Sequence, residues 1–288
     1  MEGIVLRPQG QGCIVETPSG RMLCWMRGRL RQTGVSPLAG DRVEVLPGAQ
    51  GEGVIESVAP RRNQLSRPAV ANVDRVVTVT SLVDPRVPPL LLDRFLALAE
   101  KARVRAVVVV NKVDLGRAQE ILQVENRYRS VGYPVYPLSA RLGEGVEPVR
   151  REIAQGGVTV LAGVTGVGKS SLFRCLIPGA SVEVGQLTRQ GHGRHTTKHT
   201  ELFPVGDGYL ADTPGFSALT LEGVEPGEVA GLFPEFRPFL GRCRFSDCRH
   251  LDDVGCAVTQ AVGTRIDPVR YESYTFLLRE AMEARRSH

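Results

Sequence analysis

The sequence predicts a multi-domain protein with an N-terminal β-barrel of the OB-fold type, a circularly permuted α/β nucleotide-binding domain, and a C-terminal zinc-binding domain with helices. Three observations predict this architecture. Short strand-like segments separated by glycine come first, apolar strands alternating with helical periodicity follow, and three cysteines with a histidine come after residue 240. We expect domain limits at 1–68, 69–220 and 221–288.

The composition is that of an ordinary globular protein. Of 288 residues, 42% are hydrophobic and 23% are charged, so the chain can bury a substantial core. No segment approaches the roughly 20 apolar residues of a membrane span, and the N-terminus lacks the basic-then-apolar layout of a secretory signal. We therefore expect a cytoplasmic protein with no membrane partner.

The charge pattern points to an anionic partner. The net charge of +5 favours a partner such as nucleic acid, although many basic proteins bind none. Only Lys101, Lys112, Lys169 and Lys198 are lysines, so arginine carries most of the positive charge. Arginine suits bidentate phosphate contacts and stacking on bases, but genome composition explains the same bias equally well.

The N-terminal barrel is predicted from four strand-like segments, at residues 13–16, 22–25, 42–46 and 53–58, with turns at 18–20 and 47–48. Short strands without a helix are typical of small barrels such as the OB-fold. Many of these barrels bind RNA, but the architecture alone does not give a function. The arginines at positions 61, 62 and 67 either face RNA or lie in a solvated linker.

The α/β domain is predicted from apolar runs at 73–80, 104–110, 133–138, 158–161 and 209–211, with a helical segment at 90–103. Apolar runs between helices favour a parallel sheet that is covered on both faces. Sheets of this kind bind ligands beyond the carboxyl ends of their strands. Each nucleotide motif of this chain falls at such a strand end.

A phosphate-binding loop follows the strand at 158–161. Its residues are Gly163, Val164, Thr165, Gly166, Val167, Gly168, Lys169, Ser170 and Ser171. Glycines let successive backbone N–H groups point at phosphate oxygens. Lys169 is expected to reach the β- and γ-phosphates, and the Ser170 hydroxyl to bind Mg²⁺. A chance glycine-rich turn is the alternative when this motif is taken alone.

A guanine-reading motif, Asn111-Lys112-Val113-Asp114, follows the strand at 104–110. The Asp114 carboxylate can accept both N1–H and the 2-amino group of guanine, and adenine offers no such donor pair. This argues against an ATP-using kinase. Asn111 is expected to tie the loop together, and the Lys112 stem to lie along the base. By its position after the next strand, the Ser139-Ala140 pair fits the loop whose N–H contacts guanine O6.

The order of the motifs predicts a circularly permuted P-loop GTPase domain. Asp212-Thr213-Pro214-Gly215 follows the last strand and matches the magnesium and γ-phosphate sensor, with Asp212 near Mg²⁺ and the Gly215 N–H on the γ-phosphate. An ordinary GTPase has the phosphate loop first, then the sensor, then the base reader. In this chain the base reader comes first, so the domain is permuted.

The first switch is expected at residues 191–198, between the phosphate loop and the sensor. Thr197, in preference to Thr196, is the expected third magnesium ligand beside Ser170 and Asp212. Phe216 follows the sensor glycine and cannot orient water, so His195 is the candidate catalytic group that orients or deprotonates water. A solvent-exposed histidine without a catalytic role is the alternative.

A structural zinc site is predicted from four ligands within 14 residues: Cys243, Cys248, His250 and Cys256. Three thiolates and one imidazole form a set that is closed to substrate. A disulfide and unconnected cysteines are the alternatives, disfavoured by the cytosol and by the spacing respectively. A C-terminal helix is expected at 269–286, with Asp267 as its N-cap and Pro268 in its first turn.

Nearly the whole chain resembles the family of ribosome small subunit-dependent GTPases, RsgA (also called YjeQ or YloQ). The resemblance covers the barrel, the permuted motif order, residues 163–172, Gly193-Arg194-His195-Thr196-Thr197, Asp212-Thr213-Pro214-Gly215-Phe216 and Cys243-Arg244-Phe245-Ser246-Asp247-Cys248-Arg249-His250. The family's catalytic histidine matches His195, and its first-switch threonine matches Thr197. Lys198 departs from the pattern, because some members carry another threonine there.

The resemblance implies a GTPase that binds GTP and GDP with Mg²⁺, carries one structural Zn²⁺, and is stimulated by the 30S subunit in late 30S maturation. Its partners would be the 30S subunit and 16S rRNA, and an asymmetric ribosomal partner favours a monomer. An RNA-binding module that is organised by nucleotide, without required turnover, is the rival interpretation.

Overall fold

The computed structural model describes residues 1–28, 30, 34, 36–48, 51–66, 69–179, 200–212, 223–251 and 253–286. The chain forms two compact units. The first contains Met1–Arg75, Val146–Leu161 and Lys169–Phe216, and the second contains Val76–Gly145, Ala162–Gly168 and Ser217–His288.

The elements follow one another along the chain as two series. The first is all β: β1 Glu2–Gln9, β2 Gly12–Thr17, β3 Gly20–Met26, β4 Arg42–Pro47, β5 Glu52–Val58, β6 Gln64–Ser66 and β7 Ala69–Ala71. The second alternates: β8 Val73–Ser81, α1 Pro89–Lys101, β9 Arg105–Asn111, α2 Ala118–Ser130, β10 Val135–Pro137, α3 Val146–Ala154, β11 Gly157–Ala162, α4 Lys169–Leu176, β12 Glu201–Val205, β13 Gly208–Asp212, α5 Ala257–Ala261 and α6 Pro268–Arg286.

The first unit begins with a closed barrel of strand order β1-β2-β3-β5-β4, which confirms the predicted barrel. Alternate residues of the strands face inward, and Val15, Cys24, Val45 and Ile55 are almost fully buried in its core. Strand β1 was not among the predicted strands. A register shift between Val5 and Arg7 interrupts the alternation of buried and exposed residues in this strand. As a result, the neighbouring residues Val5 and Leu6 are both buried.

Two of the three arginines that follow the barrel are held in ion pairs. Arg61 donates to both carboxylate oxygens of the buried Asp41 at 2.8 Å, and Arg62 contacts Asp74 at 2.7 Å. Arg61 is therefore a structural arginine rather than one that is free to face RNA. Arg67 lies outside the described residues.

The α/β part of the first unit has the strand order β11-β13-β12. β11 and β13 are parallel, as predicted, whereas β12 is antiparallel to β13 and was not predicted. Arg75 is buried in this unit, where it contacts Glu152 at 3.3 Å and the Thr159 hydroxyl at 3.0 Å. Burial of the guanidinium is tolerated because these partners satisfy it.

The α/β part of the second unit has the strand order β10-β9-β8, with β9 and β10 parallel. The predicted strands and the helix at α1 are confirmed to within two residues at most ends. Helix α1 packs through Leu92, Leu96 and Ala99 onto the valines of β9. Helix α2 was not predicted, since among its residues only Tyr128 is fully buried.

The C-terminal segment lies in the second unit and contains two short 3₁₀ helices, at Val229–Leu232 and Pro234–Phe239, followed by α5 and α6. The Asp267 carboxylate accepts the Val269 N–H at 2.8 Å, which confirms the predicted cap of the last helix. Phe233, Phe236 and Tyr274 form the centre of this core and pack with Ala97 of α1.

A buried ion cluster joins this segment to α1. Arg270, which is 1% exposed, donates to Asp93 at 2.7 Å and to both oxygens of Glu235 at 2.7 and 3.0 Å. The Tyr128 hydroxyl donates to Asp93 at 2.8 Å. Removing one partner from such a cluster leaves an uncompensated buried charge, so the cluster ties the C-terminal segment to α1 and α2. In the described part of the chain, none of the helices combines the length and apolarity needed to cross a membrane.

Candidate nucleotide site and metal centre

The two base-reading segments lie at the ends of neighbouring parallel strands in the second unit. Val110 of β9 pairs with Pro137 of β10, so Asn111 and the Ser139-Ala140 pair leave the sheet at the same edge. This edge is the carboxyl end of the strands, where such sheets bind ligands. The structure thus brings together two segments that are almost 30 residues apart in sequence.

Asn111 connects the base-reading segments to the phosphate loop. Its side chain is 3% exposed, donates to the Val167 carbonyl at 2.7 Å and accepts the Ala140 N–H at 2.9 Å. The expected role of Asn111 in tying the loops together is therefore visible in the geometry. The Ala140 N–H belongs to the loop whose backbone N–H is expected to contact guanine O6, and here it donates to the Asn111 side chain.

Asp114 presents a partly satisfied carboxylate. Oδ2 is 3.1 Å from Arg141 Nη2, whereas Oδ1 is buried and has no hydrogen-bond partner among the described residues. The pKa of Asp114 lies below its usual value, and the Ser139 hydroxyl is the main cause. Burial raises this pKa, and Arg141 lowers it further. An ionised carboxylate with a free buried oxygen is the acceptor that a guanine edge requires.

Arg141 is a site residue that was not predicted from sequence. Its guanidinium is 72% exposed, so its ion pair with Asp114 is screened by solvent and weak. The signal for it was its position directly after the Ser139-Ala140 pair, where a long cation can reach back to the base reader.

Lys112 adopts a left-handed backbone, with φ of 64°, and its ammonium donates to the Asp84 carbonyl. The lysine stem therefore spans the space between the base-reading loop and the end of β8. A non-glycine residue in this conformation is uncommon and marks a local constraint.

The phosphate loop requires glycine at two positions where the chain folds tightly. Gly163 has φ of 135°, and an added Cβ would collide with the Val79 carbonyl. Gly168 has φ of 98°, and an added Cβ would collide with the Asn111 amide nitrogen. These close approaches explain the glycine spacing of the motif, since any side chain would displace the loop. Val167 is fully buried, whereas Thr165 and Gly166 are exposed.

The remaining described site residues lie in the first unit. Lys169, Ser170 and Ser171 open α4, and burial lowers the pKa of the Lys169 ammonium. Asp212 ends β13, beside β11, which leads into the phosphate loop. The positions agree with the predicted helix start and strand end. Gly215, His195, Thr196 and Thr197 lie outside the described residues, as do Lys198 and Phe216.

The predicted metal ligands form one compact cluster in the second unit. The potential ligand atoms of Cys243, Cys248, His250 and Cys256 all lie within 4.8 Å of one another. His250 Nδ1 is 3.4 to 3.5 Å from the three sulfurs, and the sulfurs of Cys243 and Cys256 are 3.9 Å apart. Tetrahedral zinc, with Zn–S of about 2.3 Å and Zn–N of about 2.0 Å, needs ligand separations of about 3.5 to 3.8 Å.

Helix α6 contacts the backbone of the metal cluster through two tyrosine hydroxyls. The Tyr274 hydroxyl donates to the Arg249 carbonyl at 2.6 Å, and the Tyr271 hydroxyl donates to the His250 carbonyl at 3.0 Å. Burial lowers the pKa of His250, and the neutral imidazole is the form that binds a metal. The donor set and its spacing fit a closed structural zinc site.

Asn111→Ala is expected to weaken GDP and IDP binding by the same factor, roughly 10- to 100-fold, because a buried carbonyl and N–H lose their partners. The guanine-over-hypoxanthine preference should remain, since Asp114 is untouched. Fluorescent-nucleotide titration measures both affinities. Asn63→Ala is the matched control, because the Asn63 side chain hydrogen-bonds the N–H and the carbonyl of Val73, outside the predicted nucleotide-binding residues. A change in base preference would contradict the assigned role of Asn111.

Known proteins match this chain over all or nearly all of its length. The profile of the RsgA N-terminal domain matches residues 2–55, and that of the RsgA GTPase matches residues 58–222. The "Small ribosomal subunit biogenesis GTPase RsgA" of Moorella thermoacetica is 43% identical over 100% of this chain and 99% of its own. The protein of the same name from Halalkalibacterium halodurans is 38% identical over 97% and 96%.

Two solved structures share the fold at similar coverage. YjeQ from Thermotoga maritima superposes with a TM-score of 0.86 at 36% identity, covering 98% of each chain. YloQ, described as a circularly permuted GTPase, has a TM-score of 0.84 at 31% identity, covering 98% of this chain and 95% of its own.

Proposed function

This chain belongs to the RsgA GTPase family, and we propose that it hydrolyses GTP in the biogenesis of the small ribosomal subunit. The observation that carries the proposal is the Asp114 carboxylate, whose buried Oδ1 lacks a partner among the described residues. Asn111 joins this base reader to the phosphate loop through Val167. This contact supports a proposed site in which guanine recognition is linked to the phosphate loop.

We propose two metals for the protein. Zn²⁺ would be held by Cys243, Cys248, His250 and Cys256, where it would fix a loop that packs against the C-terminal core. Mg²⁺ would be held with the nucleotide by Ser170, Asp212 and Thr197, and it would neutralise phosphate charge there. Ser170 and Asp212 lie at a helix start and a strand end that suit this role.

The proposed setting is a cytoplasmic monomer that binds the 16S rRNA of the 30S subunit and releases it after hydrolysis. The family membership and the excess of arginine support this proposal. GTP and ATP turnover by the purified protein, with and without 30S subunits, tests it. GTP-specific turnover that rises strongly with 30S subunits is expected. Slow GTP turnover that 30S subunits do not stimulate would refute the ribosomal role, but the assignment of the nucleotide site would stand.

His195→Ala is expected to abolish most of the 30S-stimulated hydrolysis, by roughly 100-fold or more, because an orienting base contributes about that factor. GTP affinity should stay within a few-fold of the original value. Single-turnover hydrolysis and nucleotide titration measure the two quantities. His192→Ala is the matched control in the same segment. Unchanged stimulated hydrolysis in His195→Ala would remove His195 from the catalytic role. Lost hydrolysis with intact RNA binding and cellular function would favour the RNA-binding module without required turnover.

A further inference from the structure

A groove of about 530 Å³ lies in the second unit at the amino end of β9, whereas the base-reading residues follow the carboxyl end of that strand. Arg103 and Arg105 line one part of it, and Arg237 of the second 3₁₀ helix lines another. All three arginines are exposed. We call this surface the arginine groove.

The arginine groove carries a net positive charge. Glu100 is its acidic residue among the lining positions, and both of its oxygens are engaged. The Tyr133 hydroxyl donates to one oxygen at 3.1 Å, and Arg237 donates to the other at 2.6 Å. One carboxylate against three guanidinium groups leaves the groove attractive to anions.

Arg103 occupies a backbone conformation that favours glycine. It follows the end of α1 with φ of 54°, and its N–H donates to the Glu100 carbonyl at 3.1 Å. Helices that end in this way usually place glycine at this position, since a Cβ there is strained. An arginine is retained here although glycine would fit the backbone better.

The other non-glycine residues with positive φ in the described chain have structural roles within the protein. Lys112 and Asp84 contact each other at the base-reading loop, His250 belongs to the metal cluster, and Asn72 bridges two loops through its amide. Arg103 differs, because its side chain forms no hydrogen bond or ion pair with the described residues. Strained residues that a fold does not use internally are candidates for external contacts.

We propose that the arginine groove binds the phosphate backbone of small-subunit rRNA, with Arg103 as a principal contact. Guanidinium groups bind phosphate oxygens in a bidentate manner. The groove is open, whereas a small-molecule site encloses most of its ligand. This inference rests on the proposed function, because it takes the 30S subunit as the source of the RNA. It adds a contact surface at the amino end of β9, whereas the base-reading residues follow the carboxyl end of that strand.

Arg103→Gly tests the proposal and separates binding from folding. Glycine relaxes the left-handed backbone, so the melting temperature should stay equal or rise. Affinity of the GTP-analogue-bound protein for purified 30S subunits should fall roughly fivefold. The slope of log affinity against log salt, between about 50 and 200 mM, should become shallower by about 0.7 to 0.9. Arg103→Lys keeps the positive charge, so it should retain the slope, and its affinity should fall less than that of Arg103→Gly.

The control is Arg279→Ala, an exposed arginine of α6 outside the groove, which should leave affinity and slope unchanged. Unchanged affinity and slope in Arg103→Gly would overturn the proposal while the ribosomal function stands. A loss seen with whole subunits but absent with protein-free 16S rRNA would assign the groove to a ribosomal protein and overturn the RNA contact. Failure of the unaltered protein to bind 30S subunits would overturn both the groove and the proposed function.

Discussion

Asp114→Asn is expected to weaken GDP binding by about 100- to 1000-fold, roughly 3 to 4 kcal/mol, and to bring XDP binding to a comparable or better level than GDP binding. The carboxylate offers guanine two acceptor oxygens, of which Oδ1 is buried and without a partner in the described chain. The asparagine amide replaces one acceptor with a donor. That donor opposes a donor of guanine, but it matches the O2 carbonyl of xanthine.

Titration of both nucleotides against the same protein measures this exchange. Asp114→Ala is the control, because it removes the acceptors without supplying a donor, so GDP binding should fall and XDP binding should not rise. Arg141→Ala gives a smaller effect, since its ion pair with Asp114 is largely exposed. Retained GDP affinity together with absent XDP binding in Asp114→Asn would remove Asp114 from the base-reading role.

The parts of the site that could be predicted from sequence are those that local chemistry determines. The phosphate loop needs glycine at 163 and 168 because neighbouring backbone and side-chain atoms leave no room for a Cβ. The apolar run of β9 leads directly into Asn111, so the strand and the motif that follows it support each other's prediction. The spacing of the three cysteines and His250 likewise reflects a constraint within a single loop.

The parts that could not be predicted lack such local signals. Strand β1 breaks its alternation at the bulge near Val5, and the edge strand β12 contains Pro204 and pairs on one side within its sheet. Helix α2 is rich in polar residues and fully buries only Tyr128, so its apolar positions are easily overlooked. The pair of Arg270 with Asp93 joins residues 177 positions apart, and nothing in either neighbourhood selects the other.

Because of this buried pair, the stability of the metal site and that of the rest of the second unit depend on each other. The C-terminal core includes Ala97 of α1, and Arg270 neutralises the fully buried Asp93 of that helix. Loss of the metal cluster would loosen α6, because Tyr271 and Tyr274 hold the backbone around His250. Asp93 would then be left as an unpaired buried charge, which is strongly destabilising.

Removal of the metal is therefore expected to lower the melting temperature by about 10 °C or more, taking a loss of about 4 kcal/mol at 2–4 °C per kcal/mol. Chelation and Cys243→Ser should give the same shift, and elemental analysis should find one zinc per chain only in the untreated protein. Cys175→Ser, at a half-buried cysteine of α4 outside the cluster, is the matched control and should retain both zinc and stability.

In the zinc-free protein, nucleotide affinity should decline together with stability. Residues of α1 and Tyr128 of α2 share a core with the valines of β9, which ends in the base reader, and both helices contact the Arg270 cluster. A zinc-free protein with an unchanged melting temperature would show that the cysteine cluster does not hold the C-terminal segment in place. A protein that melts earlier but binds GDP normally would confine the effect to the segment after residue 223 and separate the metal centre from the nucleotide site.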